Sequence, residues 1–190
     1  MAHAVRPDSF VEINNFYTLT VYIKGAEVVR MLSRLVGEQA FFEGCTHYFE
    51  KHDGQAVTTD HFVSAIEHAS QKDLSQFRRW YEQPGTPRIR TVSRYDPARQ
   101  MFQLNISQTN LDSLGHGRAP LQIPIAVALF DRAGNPLESR LNGVSEPAHE
   151  HLLDLKNPEQ GFHFEDVKSE PIVSFLRGFS APVIVETDLP

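Results

Sequence analysis

The feature that most constrains this chain is a change of hydrophobic period near Gln83 to Pro87. Before that point apolar residues recur at three- and four-residue steps, as they do on the buried face of a helix. After it they alternate, as they do along a strand with one buried face. A chain of 190 residues is long enough for one large domain or two small ones. The period change predicts an α+β chain: a helical bundle over residues 1–86, then an all-β, immunoglobulin-like sandwich over 87–190.

In the first half, Val28, Met31, Leu32, Leu35 and Val36 mark a helix that Gly25 opens and Gly37 closes. Phe41, Cys45, Tyr48 and Phe49 fit one face of a second helix, ended by Asp53-Gly54. Thr58 or Thr59 is placed to cap a third, which would bury Phe62, Val63, Ile66 and Ala69. Asp73 is placed to cap a fourth, carrying Leu74, Phe77, Trp80 and Tyr81 up to the stop at Pro84-Gly85.

In the second half, Met101 to Ile106 and Leu121 to Leu129 alternate. Pro124 lacks an amide donor, which predicts an edge strand or a bulge there. Asp131-Arg132-Ala133-Gly134-Asn135 is a turn signal. Short strands follow at Phe162 to Phe164, Ile172 to Leu176 and Val183 to Val185. About seven short strands with frequent turns predict a sandwich.

A net charge of -6 argues against a nucleic-acid partner, since such binding needs a positive surface to displace counterions. No stretch reaches the roughly 18 apolar residues of a membrane span, and the first residues lack a signal-peptide core. The single cysteine, Cys45, makes no internal disulfide, in keeping with a reducing, cytoplasmic setting.

Nine histidines raise the question of a metal. Cys45 and His47 lie about 200° apart on a helix, so they face different sides. His61 and His68 share a helix face but stand about 10 Å apart along it. His149 and His151 would share one side of a strand, in a polar stretch. The sequence has no H-E-x-x-H pair of zinc ligands, no nucleophile elbow and no phosphate-binding loop. Unaided, it contains no complete catalytic site, and no residue in it is expected to bind a metal.

One polar-aromatic cluster stands apart: Asn14-Asn15-Phe16-Tyr17-Thr18, leading through Tyr22-Ile23-Lys24-Gly25-Ala26-Glu27-Val28. A phenol keeps its proton at neutral pH and can donate a hydrogen bond to an oxygen that turns negative during a reaction. On residue chemistry alone, the better reading of Tyr17 and Tyr22 is as amphipathic rings at the rim of a helical core. The cluster resembles a segment of the bacterial aminopeptidase N family, zinc-dependent alanyl aminopeptidases with a thermolysin-like, gluzincin catalytic domain. The resemblance continues, in order, through Tyr48-Phe49-Glu50-Lys51-His52-Asp53-Gly54, Phe77-Arg78-Arg79-Trp80-Tyr81, Gln83-Pro84-Gly85-Thr86-Pro87 and Phe175 to Val183.

The resemblance implies that Tyr22 is catalytic, bonding the scissile carbonyl oxygen, and that Tyr17 and Asn14 line the substrate pocket. Lys24 and Gly25 fit the motif and read as structural, with Lys24 left in solvent. The family commonly has Glu where Ile23 stands, and Pro where Ala4 stands. It also implies that the zinc ligands and the glutamate that holds a substrate amine lie upstream, and a large helical domain downstream. The expectation is then a fragment of a zinc metallo-aminopeptidase that takes peptide substrates. Zinc would belong to the intact enzyme and the fragment alone would be inactive. Its partners would be the missing domains of the parent chain, with self-association through exposed helical surface. The alternative, from another class, is a non-enzymatic interaction module, since sandwiches often bind partners through their end loops.

Overall fold

Val28, Met31, Leu32, Leu35 and Val36 fall on one face of helix α1 (Gly25–Val36), and all five are buried. The chain is described here from a computed structural model, covering residues 3–7, 12, 14, 17–112, 114–187 and 189. They divide into two units, 1–85 and 86–190.

Gly37 breaks the helical run with φ +91, a backbone state that disfavours any side chain, and α2 (Glu38–His52) follows at once. The apolar residues of α2 do not share one face. Phe41 and Tyr48 meet Phe62 edge to face, at centroid distances of 6.2 and 5.4 Å. Phe42 and Phe49 point outward, 59% and 64% exposed. Where α2 crosses α3 (Thr59–Ser70), the contact is made by Gly44, which is buried against Ile66 and Ala65. Thr58 caps α3: its side chain accepts from the His61 N–H, while His61 Nδ1 accepts from the Thr58 N–H at 3.1 Å. Within α3 the buried residues are Val63, Ala65 and Ile66, with Phe62 and Ala69 only half-buried.

The fourth helix is shorter than the sequence implies. Only α4 (Arg79–Glu82) is helical. The Asp73 carboxylate accepts from the Ser75 N–H at 2.9 Å in a local turn. Bonds from Arg79, Trp80 and Tyr81 then reach back three residues, to Gln76, Phe77 and Arg78. Three residues per turn brings i, i+3 and i+6 into line. Leu74, Phe77 and Trp80 have that spacing and are all fully buried. The segment mixes these three-residue bonds with a four-residue one, from the Arg78 N–H to Leu74 O at 3.2 Å, and its three large side chains all enter the core. Each such burial stabilises by about 1.5–3 kcal/mol. Arg6 ties the first described segment to this core: its N–H donates to Tyr81 O, and its guanidinium lies 2.5 Å from Asp60 and 3.2 Å from Glu82.

In the second unit, β1 (Arg88–Asp96) and β2 (Met101–Thr109) pair antiparallel. One five-stranded sheet has the order β5-β7-β2-β1-β9, with β5 Arg140–Leu141, β7 Glu159–Glu165 and β9 Ile184–Glu186 parallel to β1. The other is built on β3 (Ile123–Phe130), flanked by β4 (Pro136–Leu137), β6 (His151–Leu155) and β8 (Ile172–Phe175). Alternate residues of the first sheet, Phe102, Leu104, Ile106, Phe162 and Phe164, turn inward. The His151 ring meets Phe164 edge to face at 5.4 Å, joining the two sheets. This is an immunoglobulin-like sandwich following a helical unit, as the change of period predicts.

β3 lies inside its sheet and is buried on both faces over Ile123–Leu129, but at Pro124 it is paired on one side only, by β6, so the edge that the proline implied exists locally. The proline is tolerated for a local reason. Ala126 donates its N–H to Ser180 Oγ at 2.9 Å, and residues two apart point the same way. Pro124 therefore turns its nitrogen toward the β8 side, and β8 joins only from Val127 onward. No ladder bond is lost there. The buried Gln108 side chain replaces ladder bonds elsewhere, donating to Leu121 O and Asn157 O and accepting from the Leu121 N–H. Among the described residues, no helix is long and apolar enough to cross a membrane.

Candidate functional site

Tyr22 sits in a single π-helical turn, Thr20–Lys24, that runs directly into α1. The Gly25 N–H reaches back to Thr20 O, the wide i→i−5 closure of such a turn. None of its five residues is buried. Widened turns are rare and recur at functional positions, because they redirect side chains that an α-helix would place elsewhere.

The turn is held at both ends by polar contacts. On the N-terminal side, Thr18 Oγ1 accepts from the Val21 N–H at 3.2 Å and lies 2.9 Å from His3 Nε2. His3 Nδ1 faces Ala4 O at 2.7 Å, so that nitrogen donates its proton to the carbonyl. On the C-terminal side, Lys24 is not left in solvent. Its ammonium donates to Gly85 O at 2.8 Å and Gln83 O at 3.3 Å, with the Trp80 ring 5.8 Å away. Nothing local in the sequence signals this contact, which joins residues about sixty positions apart.

The structure brings together all three residues singled out from sequence. Asn14 is exposed, and its carbonyl accepts from the Tyr17 N–H at 3.1 Å. The Tyr17 and Tyr22 rings stack with centroids 6.2 Å apart and planes 21° apart. Tyr17 is 67% exposed and Tyr22 58%. The Tyr22 hydroxyl makes no hydrogen bond among the described residues. Asn15 and Phe16 of the same motif lie outside the described residues. Ile23 is exposed beside the phenol, so no carboxylate stands at that position.

The histidines pair in a way the spacing along one helix did not reveal. His47 stacks on His68 at 4.8 Å, and His52 meets His61 at 5.0 Å. These partners sit on opposite arms of the α2–α3 hairpin, at similar distances from its loop; that symmetry was the available signal. His149 and His151 do not share a strand face. His149 precedes β6 and is exposed, whereas His151 is buried with Nε2 3.0 Å from Ser139 Oγ. Cys45 is half-buried and burial pushes its thiol pKa up, the opposite of what activates a nucleophile. Among the described residues, no group of three or more His, Cys, Asp or Glu side chains could hold a metal ion. The described residues do not fit a zinc centre.

A helical unit that opens on an exposed pair of phenols, followed by an immunoglobulin-like sandwich, defines a recognisable class. Residues 85–188 match the family described as a domain of unknown function (DUF3458) with an Ig-like fold, and the chain belongs to it. Residues 2–81 match the Peptidase family M1 domain. The chain is 46% identical over 187 residues to aminopeptidase N of Escherichia coli, and 41% identical over 191 residues to aminopeptidase N of Haemophilus influenzae. These alignments cover 98% and 99% of the chain but 21% of each relative. The fold is also similar to a crystal structure of Legionella pneumophila aminopeptidase A in complex with aspartic acid. The TM-score is 0.83 at 28% identity, over 98% of this chain and 20% of that one.

Proposed function

We propose that the chain is an internal piece of a metallo-aminopeptidase: residues 1–86 the helical tail of its catalytic domain, residues 87–190 the β-sandwich that follows. The carrying observation is the uncommitted Tyr22 hydroxyl, exposed on a π turn, in a chain whose helical half matches the Peptidase family M1 domain. Relatives named aminopeptidase N support the same assignment across both units.

In this reading Tyr22 donates a hydrogen bond to the scissile carbonyl oxygen. As that oxygen becomes negative the bond strengthens, so the phenol stabilises the transition state more than the bound substrate. It keeps its own proton throughout. Tyr17 and the exposed edge of Asn14 form the wall on which the first residue of a peptide rests. Zinc, held by residues of the parent protein outside those described, would supply an activated water. The chain alone would then hydrolyse nothing, and the cytoplasm is the compartment its lone thiol suits.

Tyr22→Phe in the intact enzyme tests the assignment. Removing one oxyanion donor typically costs about 10²–10³ in kcat. A fall of that size with zinc content unchanged supports the role, and unchanged turnover removes it. Aminoacyl nitroanilide hydrolysis by the purified 190-residue chain, abolished by neither tag removal nor further purification, would remove the expectation of inactivity.

A further inference from the structure

We propose that Lys24 is a positioning residue for Tyr22, fixing the π turn by clamping its end to the backbone that closes the helical unit. The inference rests on the reading of Tyr22 above, and adds to it the means by which the phenol is aimed.

Three observations carry it. First, the turn has no core anchor. Its five residues include none that is buried, so hydrophobic packing does not fix the direction in which Tyr22 points. Second, Lys24 makes three contacts with one distant place. The ammonium donates to Gln83 O and Gly85 O and sits over the face of Trp80, which is fully buried. Two charge-assisted bonds and a ring face together hold a long side chain that would otherwise sample many rotamers. Third, the geometry is indirect. Lys24 follows Tyr22 by two residues, which places it on roughly the opposite side of the turn. It does not touch the phenol; it holds the backbone from which the phenol projects.

The anchor is itself rigid. Gln83 caps α4, whose neighbours Trp80 and Tyr81 are in the core. The Thr18–His3 contact secures the other end of the turn, so Tyr22 lies between two fixed points. An oxyanion donor works only when its proton is aimed where charge develops, and a misplacement of about 1 Å can cost on the order of 10²-fold.

The test uses both the 190-residue chain and the intact enzyme. In the chain, hydrogen–deuterium exchange over residues 20–24 should quicken several-fold in Lys24→Met while exchange in α3 is unchanged. Unchanged exchange at 20–24 overturns the clamp whatever the enzyme does. In the enzyme, Lys24→Met should lower kcat about 10- to 100-fold with KM within about twofold. Lys24→Arg, which keeps charge and donors, should recover most of that loss. Combining Lys24→Met with Tyr22→Phe should be no slower than Tyr22→Phe alone, because both act through one phenol. Additive losses, or wild-type kcat in Lys24→Met beside a crippled Tyr22→Phe, overturn the inference and leave Tyr22 standing. Wild-type turnover in Tyr22→Phe sinks the reading of Tyr22 and this inference with it.

Discussion

The Tyr17 ring lies nearly parallel to the ring of Tyr22, 6.2 Å from centroid to centroid, and both are open to solvent. Offset aromatic pairs at such distances stabilise by about 0.5–1.5 kcal/mol. Exposure places this pair near the lower end of that range. Tyr17→Phe keeps the stack and should leave kcat/KM of the intact enzyme within about twofold, whereas Tyr17→Ala should reduce it about three- to tenfold. Equal effects of the two variants would mean that the Tyr17 hydroxyl, not its ring, matters.

Gly44 gives a stability prediction. A Cβ at that position would stand 2.6 Å from Ile66 Cδ1 and 2.8 Å from Ile66 Cα. The side-chain atom could swing away, but the backbone atom could not. Alanine gains about 1 kcal/mol in helix propensity over glycine, and overpacking costs about 1–3 kcal/mol. Because the clash involves backbone, Gly44→Ala should destabilise the helical unit. Trp80 is the chain's single tryptophan and is fully buried there, so its fluorescence during urea titration reports this unit directly. A midpoint at or above that of the parent chain would refute the packing argument.

The two periods were legible because burial on one face repeats with the geometry of the element, and Val28 to Val36 and Met101 to Ile106 obey it. The α2 pattern misled because Phe49 is apolar but faces outward, and period alone does not say which apolar stripe is covered. Leu74, Phe77 and Trp80 were legible as core, but not the shortness of the helix that holds only the last of them. Pro124 marked an edge that is only local, because sequence does not show that β8 joins three residues later. At the candidate site, the tyrosines were visible as a cluster, whereas the Lys24 contact depends on chain closure across the whole helical unit. Long-range backbone acceptors such as Gly85 O leave no residue-type signature at all.

The cap of α3 makes a third prediction. Thr58 and His61 exchange bonds in the manner of a capping box, with an imidazole in place of the usual Glu or Gln. The acceptor is Nδ1, so His61→Gln should preserve the cap and His61→Ala should lose it. Loss of an N-cap partner costs about 0.5–2 kcal/mol, and the exposed position sets this one near the lower end. Thr58→Ala should cost a similar amount, since it removes the capping hydroxyl while the Thr58 carbonyl still accepts from the His61 N–H at 3.2 Å. Trp80 fluorescence in urea reads all three variants. Equal stability of His61→Ala and His61→Gln would show that the imidazole contributes nothing to the helix start.

His151 predicts how the sandwich responds to acid. Its ring is buried between the two sheets, against Phe164 and Ser139. Burial pushes its pKa below the ordinary histidine value, with backbone contacts at Ser139 and Ala148 pulling weakly the other way. As pH falls past about 6.5, the unfolded chain takes up this proton before the folded one does. Stability therefore holds above that pH and declines as pH drops through the folded value. One proton sets a ceiling on the slope of about 1.4 kcal/mol per pH unit. Urea midpoints of the sandwich, followed by far-UV circular dichroism at about pH 8 and about pH 5, measure the decline. His151→Gln keeps a polar partner for Ser139 but carries no titrating group, so its midpoint should fall less over the same interval. If variant and parent decline in parallel, the acid sensitivity belongs to other groups and the buried imidazole is not its source.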